Sequence, residues 1–435
     1  MSDLTRAPDA RSLVVMARTP RTRAPSRRSA RPPLPKGFGT IWTTVALDLV
    51  GFGIVLPILP LYAKRYHASA FTAGALVASF SLAQLIASPF WGRVSDRFGR
   101  KPVLIVSLVG TAIGSLFTGL AAGLPLLFIG RLVDGASGAS VSVAQASVAD
   151  LAQPDQRARL FGLLGAAFGL GFVLGPAIGG VLAPIDPRLP FFAAAAIAGI
   201  NALVAVRRLP ETRPASRQPA ERVSAGATPV WRMPAVLTLI GVSFLSLVAF
   251  SAFEGTFSLF GASRLHFRES STYVVFFVIG VLIAVIEVGL VHPAVARFGE
   301  RGALQLGLVC NAAGLAILPA VHSRWWLAPS LLLLTAGQGL VTPTLSSTVA
   351  GQVEHRRRGE VLGVQQSAGG LARVLGPSLG GLLFGSVGAG APYAVGAVLV
   401  ACAALALALS PRPIALDAPG EPTPDDDAPQ ERPIA

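Results

Sequence analysis

The 435-residue chain is predicted to be an all-α integral membrane protein, with twelve transmembrane helices in two six-helix repeats and both termini in the cytoplasm. Three observations predict it. Composition is the first: 52% of residues are hydrophobic and 13% charged, against roughly 25% charged in soluble globular proteins. So few charges cannot cover several soluble domains, and such apolarity excludes a wholly disordered chain. The second is a set of uncharged runs at 102–130, 160–185, 325–353 and 374–411, each longer than the about 20 apolar residues a membrane helix needs. The third is an internal repeat, in which a shift of 200 or 201 residues lays one half on the other.

The spans follow in order. The first, 38–63, carries Asp48, and the second, 71–91, stops before a charged loop. The run 102–130 supplies 103–122 and opens 124–150, which holds Arg131, Asp134 and Gln145. Helices at 158–183 and 189–206 complete the first half. After an Arg-, Pro- and Ser-rich stretch come 236–261 with Glu254, 272–292 with Glu287 and 303–321 with Asn311. The run 325–353 supplies 326–350. The last two, 359–384 with Arg373 and 391–410, flank a Gly-rich turn at 385–392. Cys310 and Cys402 lie within apolar runs and offer no disulfide scaffold.

Lys and Arg set the orientation, because cytoplasmic loops carry their excess. With the termini inside, the inner loops and the helix ends beside them hold 17, and the outer loops hold six: Lys64, Arg65, Arg188, Arg264, Arg268 and Arg324. Five segments result: a basic disordered cytoplasmic tail (1–37), an N-terminal six-helix bundle (38–207), a cytoplasmic linker (208–235), a C-terminal six-helix bundle (236–410) and an acidic, Pro-rich disordered tail (411–435). The first tail lacks the long apolar core of a secretory signal, and Met16 is an alternative start. The net charge of +14 then reads as membrane orientation and headgroup contact, not nucleic-acid binding.

The repeat is written in Gly and Pro. Gly175-Pro176-x-x-Gly179-Gly180 faces Gly376-Pro377-x-x-Gly380-Gly381, and Arg97-Phe98-Gly99 faces Arg297-Phe298-Gly299. In membrane transporters, parallel repeats of this kind rock about a site near the midplane.

Gly92-Arg93-Val94-Ser95-Asp96-Arg97-Phe98-Gly99-Arg100-Lys101, between helices 2 and 3, closely resembles the signature loop of the major facilitator superfamily. Gly171-x-x-x-Gly175-Pro176-x-x-Gly179-Gly180 on helix 5 looks like the signature of its drug:proton antiporter branch. Arg131-x-x-Asp134-Gly135, and Asp48-Leu49-Val50-Gly51-Phe52-Gly53 through Pro57, are similar to tetracycline-type efflux proteins. The resemblance spans roughly 38–410. It implies the major facilitator fold, and an Asp96 that holds the cytoplasmic gate shut against the start of helix 11, with Arg97, Arg100 and Lys101 pairing nearby. The second-half copy of the loop has Ala296 in place of that acid, which predicts an asymmetric gate.

Charges inside helices cost about 2.5–3.5 kcal/mol each on insertion scales, so they are the leading functional candidates. Asp48 and Asp134 each stand some ten residues into a helix, about 15 Å deep. Arg131 precedes Asp134 by one turn on the same face. This group is either a proton-coupling site, where an acid gains and loses its basic partner, or a static pair that fixes helices 1 and 4. Glu254 and Glu287 are the second-half candidates for a second proton or a cationic substrate, with solvation at the outer surface the alternative for Glu254. At the Glu287 position, relatives more often carry Gln. Arg373 stands where the first half has Phe172, and it either pairs with one of these acids or attracts an anion. Gln145 and Asn311 are polar candidates along the substrate path, with helix-packing hydrogen bonds as the alternative. Phe71, Phe80 and Phe90 read as lipid-facing or packing.

No metal-ligand spacing joins the five histidines, and no Gly-rich loop with Lys cradles a phosphate. The expectation is therefore a transporter and not an enzyme, without a cofactor and driven by the proton gradient. It resides as a monomer in the inner or plasma membrane. It exports a small hydrophobic or amphipathic compound, drug- or tetracycline-like, in exchange for protons by alternating access. A proton symporter or facilitator for a sugar or other metabolite is the alternative, against which the helix 5 motif argues.

Overall fold

The computed structural model describes residues 33–152, 156–213, 230–353 and 357–410. The tail assigned to 411–435, most of that assigned to 1–37 and most of the linker at 208–235 lie outside them. The described residues are helical throughout and hold no strand. The first half comprises α1 (Phe38–Val55), α2 (Leu59–Lys64), α3 (Ala70–Phe98), α4 (Arg100–Gly119), α5 (Leu124–Ser137), α6 (Ser140–Leu151), α7 (Arg157–Leu182) and α8 (Leu189–Arg208). The second comprises α9 (Pro234–Arg264), α10 (Glu269–Gly289), α11 (Val291–Ile317), α12 (Arg324–Gly351), α13 (Arg358–Ser386) and α14 (Ala391–Leu409).

Counting α5 with α6 as one, ten helical stretches among the described residues are long and apolar enough to cross a membrane. The expected spans 326–350 and 359–384 are present as α12 and α13, helices of 28 and 29 residues. Their apolar runs are diluted by Ser, Thr, Gln and Gly, and for α13 also by Arg373. The outer surface is apolar, with Val181, Leu203 and Val288 each more than two-thirds exposed, as a bundle solvated by lipid requires.

Two expected helices are broken. The span 38–63 becomes α1 and α2, parted at Leu56–Ile58 where Pro57 has no N–H to continue the ladder. The span 124–150 becomes α5 and α6, parted at Gly138–Ala139. Neighbouring side chains take up the carbonyls freed there. Trp91 Nε1 donates to Ala136 (2.6 Å), Ser107 Oγ to Ser137 (2.5 Å) and Gln84 Nε2 to Gly138 (2.9 Å). The span 303–321 extends back to Val291, with a bend at Gly299, whose φ is 70°.

The two halves meet along two seams, α3 against α13 and α7 against α10. Both are close helix contacts made possible by glycine. A Cβ at Gly74 would lie 2.1 Å from the carbonyl oxygen of Pro377, and one at Gly280 would lie 2.3 Å from that of Phe172. The seams are shut at the end bearing the α2–α3 and α9–α10 connections. There Arg65 pairs with Glu269 at 2.7 Å, and the buried Tyr273 hydroxyl donates to the Ile54 carbonyl at 2.9 Å. Toward the other end the helices part: Ile86 and Phe90 of α3 are exposed, and side chains added at Gly162, Gly165 or Gly169 of α7 would meet nothing.

Candidate functional site

The helix break places a polar cluster in the first half. Ser140 opens α6, and its hydroxyl donates to Oδ2 of Asp48 on α1. The other carboxylate oxygen, Oδ1, is buried without a hydrogen-bond partner. On α5, before the break, Arg131 Nη1 and Asp134 Oδ2 form a buried ion pair at 2.8 Å. The Arg131 guanidinium lies over the Phe80 ring, 4.5 Å from its centroid, so Phe80, which also packs on Phe52 as expected, borders this cluster. Thr111 of α4 faces the Asp134 carboxylate, and Asp134 is near enough to Asp48 to act on it electrostatically. Sequence reasoning found Asp48, Arg131 and Asp134 but missed Ser140, Phe80 and Thr111. Their partners are distant in sequence, and no local pattern marks them.

The repeat carries this joint into the second half with different chemistry. A Cβ at Gly114 would lie 2.7 Å from the backbone nitrogen of Asp134, and one at Gly314 would lie 2.5 Å from that of Leu334. A shift of 200 residues therefore converts Arg131 to Leu331 and Asp134 to Leu334. Thr111 becomes Asn311, which is fully buried between α11 and α12, where its Nδ2 donates to Gln338 Oε1 at 3.1 Å.

The remaining candidates are scattered. Glu254 of α9 and Arg373 of α13 attract each other electrostatically. Glu287 is exposed on α10, in heptad register with Tyr273 and Gly280, where that face has left α7. Gln145 is half-buried on α6 and makes no hydrogen bond to any described residue. Gly171 and Gly175 press against α1, whereas Gly179 and Gly180 press against Tyr273 of α10. The glycines of the helix 5 motif thus serve one crossing within a half and one between halves, around the buried Pro176.

Ion pairs of Arg100 join the signature loop to its own half. Arg100 bonds Asp96 at 2.8 Å and Asp150 of α6 at 3.0 Å. Arg97 lies over Phe98, and a side chain at Gly92 would meet nothing. Asp96, which the family resemblance directed to the start of α13, has Arg100 as one of its partners. Gly99 has φ 108° and opens α4. The first N–H groups of that helix, on Arg100 and Lys101, donate to the Glu211 carboxylate at 2.9 and 3.2 Å. Partial burial opposes the Glu211 charge, but these two bonds and those from Thr212 and Arg213 outweigh it, holding its carboxyl below the usual range. Sequence reasoning left Glu211 in the linker, since its partners lie 110 residues earlier. In the repeat copy, Gly299 makes the same bend, Ser347 of α12 donates to Glu300, and Arg301 donates to the Ser410 carbonyl at 2.5 Å after α14.

A family model described as Major Facilitator Superfamily matches residues 41–292 and again 288–433. The class C tetracycline resistance protein of Escherichia coli is 33% identical over 341 residues, covering 77% of this chain and 86% of that protein. Multidrug resistance protein 2 of Bacillus subtilis (strain 168) is 30% identical, covering 80% of this chain and 88% of its own length. Among solved structures, the human organic anion transporter MFSD10 (TETRAN) superimposes with a TM-score of 0.68 at 26% identity, covering 85% of this chain and 98% of that one. A bacterial homolog of the human lysosomal transporter Spinster, inward-facing and occupied, gives 0.68 at 16% identity, covering 86% and 95%.

Proposed function

Since this chain belongs to the Major Facilitator Superfamily, and is therefore a multi-pass membrane transporter and not an enzyme, we propose that it exports a small hydrophobic or amphipathic drug-like compound in exchange for protons. The proposal takes in twelve spans in two bundles, 38–207 and 236–410, with the termini and the linker in the cytoplasm. The protein acts as a monomer in the cell membrane without a cofactor. Lys and Arg assign the parted end of the seams to the cytoplasm, so the conformation described is inward-facing.

The observation that carries the reading is the polar cluster of the first half. Asp48 is fastened to the start of α6 and Asp134 to Arg131 on α5, with the break between them. Relative movement of α5 and α6 changes which acid has a donor. A proton at the unpartnered Asp48 Oδ1 removes a charge from apolar surroundings, and its loss restores it. Such an acid, loaded from outside and emptied inside, draws about 2.3 kcal/mol per proton from a 100 mV potential. The relatives named for tetracycline and multidrug resistance support export of a drug-like substrate.

The test is proton flux in energised inverted vesicles on adding tetracycline or a cationic dye. Wild type should release protons, and Asp48→Asn or Asp134→Asn should abolish the release at equal protein level. Uptake of a sugar or other metabolite with protons, and no response to drugs, would replace export by symport.

A further inference from the structure

One pair of ionisable side chains has no part in the proton cluster. Glu254 is residue 21 of the 31 in α9, and Arg373 is residue 16 of the 29 in α13. Both stand several turns from a helix end, too deep for their charges to reach the membrane surface along the stem. They attract each other, yet neither forms a hydrogen bond, or an ion pair within 4.0 Å, with any described residue. Both residues are half-buried, and neither has a polar atom that is buried without a partner, so their charged groups reach open space.

The helix faces show where the two side chains point. α13 meets α9 through Gly369, Gly376 and Gly380, and it meets α3 through Gly370 and Gly381. At about 100° per residue, Arg373 falls between those two faces, in the wedge where α3 of one half meets α9 and α13 of the other. On α9, Ala249 and Phe253 face α14, while Val248 and Ser251 face α13. Glu254 lies on the flank of the α13 face turned away from α14. Both side chains therefore border the α9–α13 crossing toward the seam between the halves.

We propose that Glu254 and Arg373 form a polar subsite of the transport cavity that takes both ionised groups of a zwitterionic substrate. Arg373 receives the acidic oxygen and Glu254 the protonated amine. The proposal rests on the efflux reading. A pure cation meets repulsion from Arg373 and a pure anion meets it from Glu254, so a molecule carrying both signs is the best match to the pair. A guanidinium adds planar, bidentate recognition of an acidic group. The first half has no such subsite, because the residue related to Arg373 is Phe172.

Binding is measured on the full chain in lipid nanodiscs, separately from transport. The probes are tetracycline, which carries an acidic enol system and an amine, and ethidium, a cation without an acid. Arg373→Gln is expected to weaken tetracycline binding about 10- to 100-fold, the range of a hydrogen bond to a charged group, and to spare ethidium. Arg373→Lys should recover part of the loss. The double change Glu254→Gln/Arg373→Gln leaves no unpaired charge and serves where the single variant does not fold, with the same loss for tetracycline. Equal weakening of both probes, no weakening, or a wild type that binds no tetracycline overturns the subsite. Tetracycline binding that depends on Arg373 without proton-coupled movement upholds the subsite and overturns the exchange reading.

Discussion

The α4–α5 crossing of the first half and the α11–α12 crossing of the second are one joint built twice. Gly114 and Gly314 admit the partner backbone at the same depth, and the residues 200 places apart coincide. What differs is the filling. Arg131 and Asp134 occupy one copy, and Leu331 and Leu334 the other. The second copy shows that the crossing needs no charge to hold. The ionic filling of the first is then best explained by function, since a buried pair is often no more stabilising than apolar residues of similar volume.

Grafting one copy onto the other gives the largest expected effect. The double change Arg131→Leu/Asp134→Leu should abolish proton exchange while the thermal transition in detergent stays level or rises. Exchange retained in that variant would break the comparison. Next comes Arg131→Ala alone, which leaves Asp134 buried without its cation and should cost about 3–5 kcal/mol. The readout is folded protein recovered after extraction, where the graft serves as control. A smaller effect separates the two loops. Glu211 is held below the ordinary carboxylate range, so its stabilisation is complete above that range and fades as pH falls through the lowered value. Acidification through this window should lower the thermal transition of wild type by an amount equivalent to about 0.5–2 kcal/mol, the range for a helix cap. Glu211→Gln should lack that component. The second-half latch is the Arg301 guanidinium on the Ser410 carbonyl, so Arg301→Gln should lower the transition while leaving the acid response of Glu211 in place. An unchanged acid response in Glu211→Gln would remove the capping role.

Much of the fold was legible because membrane helices are marked by uncharged length and the repeat by Gly and Pro at fixed spacing. The motif glycines were found for the same reason, since close contact with the Leu49 backbone at Gly171 and with the Tyr273 ring at Gly179 leaves no room for a larger side chain. The breaks were not legible. Only Pro57 marks the first in sequence, and the second depends on Gln84, Trp91 and Ser107, which reach it from other helices. Asp48, Asp134 and Arg131 stood out as charges in apolar runs. Ser140 and Thr111 did not, because a hydroxyl in a membrane helix usually bonds its own backbone and reveals its partner only in three dimensions.

The closed end of the seams also determines how the protein responds to ionic strength. Arg65 is half-exposed, so dissolved ions screen its pairing with Glu269 over a Debye length of about 8–10 Å. Tyr273 is 1% exposed, and its bond to the Ile54 carbonyl is neutral on both sides. Salt reaches the first contact and not the second. The closure at that end therefore combines one fastening that dissolved ions weaken with one indifferent to them, and added salt should loosen it only in part.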